Sequence, residues 1–258
     1  DQVETLYENA VLVVGEEDGS FDAADYMLFM GYAGDTWNTE SQTFTNLYHE
    51  TATYYITYGS SFGKRVIVEE GSSIIAADAV TSGTYQVTME EDNYNIGSLG
   101  RRWFGIRFSD DQKETFSLPT PNVVDGTTID VVARVAAAAK LNTSFTFTAG
   151  EKKQTTSVRP VGSTTVATEP STRYNGITGI IQLEVDATQE VSGELSYATN
   201  GDFAAIGYLD FILGHYQRNL TVKGGSFLFS LDASKDVQEL AISDVNKETT
   251  LWELNADV

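Results

Sequence analysis

Short runs of apolar residues, or of alternating apolar and polar residues, recur along the chain. They are bounded by glycine, asparagine, aspartate and serine. Many of them alternate apolar with polar residues, the pattern of a strand with one face in a core. They are rich in Val, Ile, Tyr, Phe and Thr, which fit a pleated, half-buried surface. The pattern predicts strands in the first half at 10–14, 26–30, 52–58, 64–70, 83–90 and 101–108.

The second half continues this pattern. Residues 127–141 contain an alanine run that a helix would also accept, but the β-branched residues before it favour a strand. Phe145 and Phe147 stand two positions apart, so they are predicted on one face of the next strand. In residues 150–176, one part is predicted to be an edge strand and the rest to be loop. Further strands are predicted at 176–185, 192–199, 204–216, 226–231, 237–244 and 249–255.

These strands follow one another without amphipathic helices between them, which predicts an all-β fold. A polar segment at 109–126, with two prolines, separates two strand-rich halves. We therefore expect two β domains, 1–112 and 113–258. The second is predicted to be a β-sandwich, with a jelly roll as one possible topology.

The charge excludes some partners. The chain has 258 residues, 41% of them hydrophobic, and a net charge of −21 from 37 acidic and 16 basic residues. Such a surface repels phosphate backbones and anionic lipids, so we expect neither nucleic-acid binding nor membrane insertion. Solubility, cation binding and adaptation to high salt all remain explanations for the acidity. There is no cysteine, so this chain has no disulfide, thiolate metal site or cysteine nucleophile.

An acidic segment at 15–26 raises the question of calcium. With Gly19 at position 6 of an EF-type loop, Asp18, Asp22 and Asp25 fall at ligand positions 5, 9 and 12. Position 1 is then Val14, which has no side-chain oxygen. Because Asp-Gly is also a common hairpin turn signal, a plain turn is the favoured interpretation and calcium the alternative.

Five short motifs follow one another in order along most of the chain. They are Asp-Tyr-x-x-Phe-x-Gly before a Trp, a Tyr-Tyr strand, an acidic cluster before Gly-Arg-x-Trp-Phe-Gly, Tyr-Leu-Asp-Phe before Arg-x-Leu, and Leu-Trp-Glu. In this order they resemble the non-catalytic region before the peptidase domain of PorU-like proteins, the gingipain-type C-terminal signal peptidases of the type IX secretion system. The matching residues are Asp25, Tyr26, Phe29, Gly31, Trp37, Tyr54, Tyr55, Glu90, Glu91, Asp92, Gly100, Arg101, Trp103, Gly105, Tyr208, Leu209, Asp210, Phe211, Arg218, Leu220 and Trp252.

The resemblance implies a non-catalytic accessory region that braces the downstream peptidase domain or engages secretion-system proteins. It also implies a location at the outer-membrane surface or in the periplasm of a Gram-negative bacterium. The family's catalytic Cys and His lie in the peptidase domain, so no catalytic residue is carried over and this chain is not expected to be an enzyme. Met89 precedes the acidic cluster where the family often has His.

A carbohydrate-binding sandwich is the alternative function, with glycans as partners. Trp37 lies in a Gly/Asp loop and would be the platform on which a sugar ring stacks. A loop Trp more often covers the edge of a core, and that interpretation is preferred here.

The segment from Glu90 to Trp103 is the main candidate site. Glu90, Glu91 and Asp92 stand about ten residues ahead of Arg101, and arginine holds carboxylates with a planar fork. We expect an internal ion pair, with Trp103 packed beneath it. A docking surface for the peptidase domain and a cation site at the three carboxylates are the alternatives.

Other polar residues are predicted to be structural. Asp210 lies in an apolar strand and is costly to bury without a partner, for which Arg218 is the candidate across a turn. His49 and His215 are the only imidazoles, and they lack the spacing of a zinc site. Surface or packing roles are predicted for both.

Overall fold

A computed structural model of the chain describes residues 8–31, 37–38, 43–44, 53–59, 61–68, 78–95, 103–160, 177–223, 225–231, 238–247 and 249–254. The chain divides into two compact units, the first formed by 1–73 with 250–258 and the second by 74–249. The regular structure described is β-strand, apart from one 3-10 turn at Glu16–Asp18. The predicted all-β class is confirmed.

The first unit contains a short antiparallel hairpin. Strands β1 (Val11–Val14) and β2 (Tyr26–Phe29) pair so that Val11 lies opposite Phe29. Arg65 bridges Val11 in parallel on the other side of β1, where the Val11 N–H donates to the Lys64 carbonyl at 3.0 Å. A second pair joins β3 (Trp37–Asn38) to β4 (Thr43–Phe44). The strand predicted at 52–58 is not found, since its described residues, 53–58, join no ladder in the described part of this unit.

The second unit is a sandwich of two antiparallel sheets. The first sheet has the order β10 (Lys113–Pro119), β15 (Glu190–Ala198), β12 (Thr143–Ala149) and β13 (Lys152–Val158). The second has the order β14 (Ile177–Asp186), β11 (Thr128–Ala138), β16 (Ile206–Asn219) and β6 (Ser82–Glu90), and β9 (Ile106–Ser109) also pairs with β16. Smaller pairs join β5 (Ala79–Val80) to β17 (Glu239–Leu240) and β7 (Tyr94–Asn95) to β8 (Trp103–Phe104).

The core of the second unit lies between the two sheets. Phe145 and Phe147 are both fully buried, as their spacing on one strand predicts. Phe147 stacks on Phe116 of β10 at 4.9 Å between ring centroids, and Phe145 lies 4.7 Å from Tyr197 of β15. Burial of so many large apolar side chains is the main stabilising term for this unit.

The alanine run of β11 forms a strand, as predicted. Its odd-numbered residues from Ile129 to Ala137 belong to the core between the sheets, and its even-numbered residues therefore point to the outer face. The predicted domain boundary at about 112 lies inside the second unit, because β6 and β9 on its N-terminal side pair with β16. Part of the predicted polar linker is strand β10, in which Phe116 and Leu118 are buried.

Candidate interaction site

The acidic cluster at the end of β6 is tied to the short hairpin that follows it. Asn93 donates its backbone N–H to the Phe104 carbonyl at 3.0 Å. Its side-chain amide donates to Glu91 Oε2 at 2.8 Å and to the Gly105 carbonyl at 3.0 Å. One asparagine therefore links the acidic cluster to the Trp-Phe-Gly segment, twelve residues away in sequence.

Two of the motifs meet at Gly105. Its N–H donates to the Leu209 carbonyl at 2.9 Å, which joins the Trp-Phe-Gly motif to the Tyr-Leu-Asp-Phe strand. Beside this bond Phe104 lies 5.2 Å from the ring of Tyr208, over Ala136 on the outer face of the second sheet. Burial raises the pKa of Tyr208, and nearby Arg107 opposes that rise. A Cβ at position 105 would lie 2.9 Å from the Glu91 carbonyl oxygen, so this junction requires glycine.

Arg101 lies outside the described residues, so its predicted ion pair with Glu90, Glu91 and Asp92 stays a prediction. Trp103 is 41% exposed, so a large part of its indole reaches the surface instead of packing beneath the connection.

Asp210 is paired with Arg134 and not with Arg218. Asp210 is an extra residue in β16, because the ladder with β11 passes from Phe211 opposite Arg134 to Leu209 opposite Val135. This bulge places the Asp210 carboxylate 3.3 Å from Arg134 Nε on the outer face of the sheet. The prediction of Arg218 was wrong because both residues belong to the same strand, about 26 Å apart at the usual rise per residue.

Arg218 has a different environment at the end of β16. Its guanidinium lies over the rings of Phe227 and Tyr85, at 3.7 Å and 4.9 Å from their centroids. The side chain is 8% exposed. These contacts are cation–π interactions, which hold the end of this strand against its neighbours.

The motif residues of the first unit also meet one another. Phe29 of β2 packs edge-on against Tyr54 at 5.1 Å between ring centroids. A Cβ at Gly31 would lie 3.1 Å from the Tyr54 ring, so the small residue of the Asp-Tyr-x-x-Phe-x-Gly motif leaves room for that tyrosine. Tyr55 is 75% exposed.

The acidic segment forms turns that its own carboxylates cap. Asp18 accepts the N–H of Ser20 at 2.8 Å, and Asp25 accepts the N–H of Asp22 at 2.7 Å. Asp22 in turn accepts the N–H of Ala24 at 2.9 Å. Within the part of the chain that the structure describes, no three or more His, Asp or Glu side chains are grouped to hold a metal ion.

Four further predicted residues are Trp37, Trp252, His215 and His49. Trp37 is in β3, but its side chain is outside the described residues. Trp252 donates its indole N–H to the Thr250 hydroxyl at 3.3 Å in the first unit. His215 shares a hydrogen bond of 2.9 Å with Gln86 across the β16–β6 ladder, while His49 lies outside the described residues.

Sequence reasoning missed a carboxylate that joins two loops at one end of the sandwich. Asp202 accepts the backbone N–H groups of Lys140 and Leu141 at 2.5 Å and 3.2 Å, and that of Ala204 at 3.2 Å. The Lys140 bond is the chief reason that the pKa of Asp202 is lowered, although burial acts in the opposite direction. The neighbouring Phe203 is 90% exposed. The sequence Asn-Gly-Asp is a turn signal and predicts the loop that contains Asp202. It does not indicate the second loop, at Lys140, to which Asp202 binds.

The second unit also has a polar cavity of about 480 Å³. Asn122, Gln189 and Asn219 are among its lining residues. Two of these side chains already bind backbone groups, since Asn219 donates to the Asn122 carbonyl at 3.1 Å and Gln189 accepts the Asn122 N–H at 2.9 Å. These amides therefore join the loops around the cavity.

Comparison with known proteins adds a likeness of fold. No protein-family model matches the sequence, and no curated protein matches it. The crystal structure of dimeric latent PorU from Porphyromonas gingivalis is similar, with a TM-score of 0.61 and 14% identity, over 91% of this chain and 22% of the PorU chain. The chain therefore has a PorU-like fold and spans about a fifth of the length of PorU.

Two weaker likenesses are to carbohydrate-binding modules. The CBM36-1 domain of a multidomain xylanase from the hindgut metagenome of Trinervitermes trinervoides has a TM-score of 0.31 and 13% identity, over 56% of this chain and 99% of that one. The module CBM36 in complex with calcium and xylotriose has a TM-score of 0.29 and 16% identity, over 50% of this chain and 96% of that one. Scores this low carry no functional argument.

None of the described residues belongs to a helix long and apolar enough to span a membrane.

Proposed function

We propose that this chain is a non-catalytic accessory region of a longer PorU-like protein of the gingipain type. Its role is to brace or orient the peptidase domain of the same protein, which is its main partner. Engagement of secretion-system proteins is the alternative role. The location that follows from this proposal is the outer-membrane surface or periplasm of a Gram-negative bacterium.

The hydrogen bond from the Gly105 N–H to the Leu209 carbonyl is the observation that carries the proposal. It joins two motifs that are about a hundred residues apart in sequence, and both contribute to one compact junction with Phe104 and Tyr208. A set of unrelated short matches would have no reason to meet in space. The likeness to the PorU fold supports the same proposal independently of the motifs.

The polar side chains described here support a structural role. At the junction the Glu91 carboxylate accepts a hydrogen bond from Asn93. Elsewhere on β16, His215 shares a hydrogen bond with Gln86 of the neighbouring strand. A nucleophile with a base in hydrogen-bond reach and a third orienting group would point to catalysis. We propose instead that these side chains hold the second unit in its folded shape.

The test is to mix this chain with the peptidase region of its own protein, supplied as a separate polypeptide, and to measure binding and unfolding temperature. We expect a complex in which either component has a higher unfolding temperature, because binding to the folded state alone stabilises it. Arg101→Ala and Trp252→Ala should weaken the complex. Leu141→Ala, at an exposed residue of the second unit, is the matched control. Peptidase activity in the isolated chain, or the lack of any complex, would overturn the proposal.

Glycan binding is the competing function, and it is tested with the same protein. A glycan array that captures the chain, with capture lost in Trp37→Ala, would favour a carbohydrate-binding module. The outer face of the first sheet is unsuited to sugar stacking, because its residues include Lys113, Thr146 and Glu194, and it presents hydroxyls and charges.

A further inference from the structure

We infer that a hairpin of the first unit is the docking surface of this region, and that its partner is a folded protein surface with an apolar centre and a rim of Lys and Arg. The surface, called here the apolar ribbon, consists of β1 (Val11–Val14) and β2 (Tyr26–Phe29). This inference rests on the proposed function and deepens it, because it names the surface that meets the peptidase domain.

The exposure of β2 is the first observation. Tyr26, Met27, Leu28 and Phe29 are exposed by 51%, 44%, 40% and 39%. Successive side chains of a strand point to opposite faces, so both faces of the apolar ribbon are partly uncovered. A run of four apolar residues is typical of a strand that is buried on both sides. The sequence of β2 is therefore typical of a buried strand, but the described residues of this chain do not bury it.

The rest of the first unit has the same character. None of its residues whose side chains are described is buried, whereas the buried side chains of the second unit form a continuous core. Tyr55, Ile56 and Tyr58 are exposed by 75%, 73% and 102%. A small unit gains its stability chiefly by burying apolar surface, so this unit needs a covering surface. Exposed apolar patches of this kind mark protein interaction sites.

The charge of the first unit indicates what kind of partner surface covers it. Residues 1–73 and 250–258 contain 15 acidic and 2 basic residues, a net charge of −13. One of the two cations, Arg65, already lies 3.6 Å from Glu16. A second copy of this chain or an anionic membrane would bring like charge to the same place, which opposes association. A partner with a basic rim satisfies both the apolar and the acidic part of the surface.

The test is hydroxyl-radical footprinting of this chain alone and of the full-length protein that contains it. We expect oxidation of Met27 and Tyr26 to fall several-fold in the full-length protein, because the partner surface covers the apolar ribbon. Phe203, which is 90% exposed in the second unit, is the internal control and should be labelled equally in both samples. The unmodified protein is used, so misfolding of a variant cannot imitate the result.

A variant and a salt series make the chemistry of the partner testable. Leu28→Glu in the full-length protein should restore most of the labelling at Met27, whereas Leu141→Glu, at another exposed leucine, should not. Labelling of Met27 should also rise with ionic strength, since salt screens the attraction to a basic rim.

The outcomes separate this inference from the proposed function. Equal labelling of Met27 in both samples, with protection elsewhere on this chain, would overturn the inference and leave the proposed function standing. A footprint of the chain that is the same throughout in both samples would overturn both. Protection of Met27 that depends on protein concentration would show that a second copy covers the apolar ribbon, and that too would overturn the inference.

Discussion

Arg134 Nε lies 3.3 Å from Asp210 Oδ2, and the two side chains are only 10% and 9% exposed. The pair joins the two central strands of the second sheet at the bulge of β16. A buried ion pair costs much desolvation, so its loss is most damaging when one charge is left without the other.

We therefore expect Asp210→Ala to lower the free energy of unfolding by about 3 kcal/mol, because it removes the carboxylate that lies 3.3 Å from the buried Arg134 guanidinium. The double variant Asp210→Ala with Arg134→Met should be more stable than Asp210→Ala alone. Urea denaturation checks both. The exposed pair of Lys113 and Glu194, 2.8 Å apart, is the control, and Glu194→Ala should cost less than about 1 kcal/mol. Equal losses for Asp210→Ala and Glu194→Ala would contradict this account.

Gly105→Ala should destabilise the second unit by about 1–3 kcal/mol, because the new Cβ would lie 2.9 Å from the Glu91 carbonyl oxygen. Gly179→Ala is the matched control, since the nearest atom to its Cβ would be Thr156 Cγ2 at 3.4 Å, an ordinary contact. Thermal unfolding of the two variants gives the comparison. A stable Gly105→Ala protein would mean that the junction of the two motifs tolerates a wider spacing.

Asp202→Asn should destabilise the protein at neutral pH and much less in acid. The pKa of Asp202 is lowered in the folded protein, so its contribution is present above the unfolded pKa of about 3.9 and is lost as the pH falls through the folded value. The cost at neutral pH should be about 1.5–3 kcal/mol, the worth of hydrogen bonds to a charged acceptor.

Urea midpoints of parent and Asp202→Asn, measured at neutral pH and near pH 3, check this expectation. Asp125→Asn, at an exposed aspartate, controls for the general loss of negative charge. A gap between parent and Asp202→Asn that stays constant across the pH range would count against the role of the carboxylate.

Calcium should leave the unfolding temperature unchanged. The carboxylates of Asp18, Asp22 and Asp25 already accept backbone N–H groups within their own turns. A ligand that binds the folded state would raise the midpoint with concentration. A rise that disappears in Asp22→Asn would instead establish a calcium site at this segment.

The sequence is most informative where apolar periodicity is strong. The alternation around Phe145 and the β-branched start of β11 are sufficient to predict two core strands, including the alanine run. Strand β10 was missed because Pro119 and Pro121 suggested a linker. Pro119 is tolerated because it stands at the end of a strand at the edge of its sheet.

The partner of Asp210 could not be read from the sequence for a different reason. A bulge shifts the register by one residue, and nothing local marks it, so the facing residue on β11 depends on the ladder. For the apolar ribbon the sequence pattern is clear, but the structure differs from what it predicts. Its apolar run predicts burial, and the residues that would provide it are not among those described in this chain.

The central place of β16 also determines when the second unit can form. It pairs with β6, β9 and β11, whose paired residues precede it by about 70 to 140 residues. Pairings between such distant segments make folding slow and leave strand edges open until the last partner arrives. During synthesis β9 therefore has to wait until residue 209 has left the ribosome, and β6 until residue 219. A chaperone that shields open strand edges during that interval would act on this protein before any partner of the folded form could.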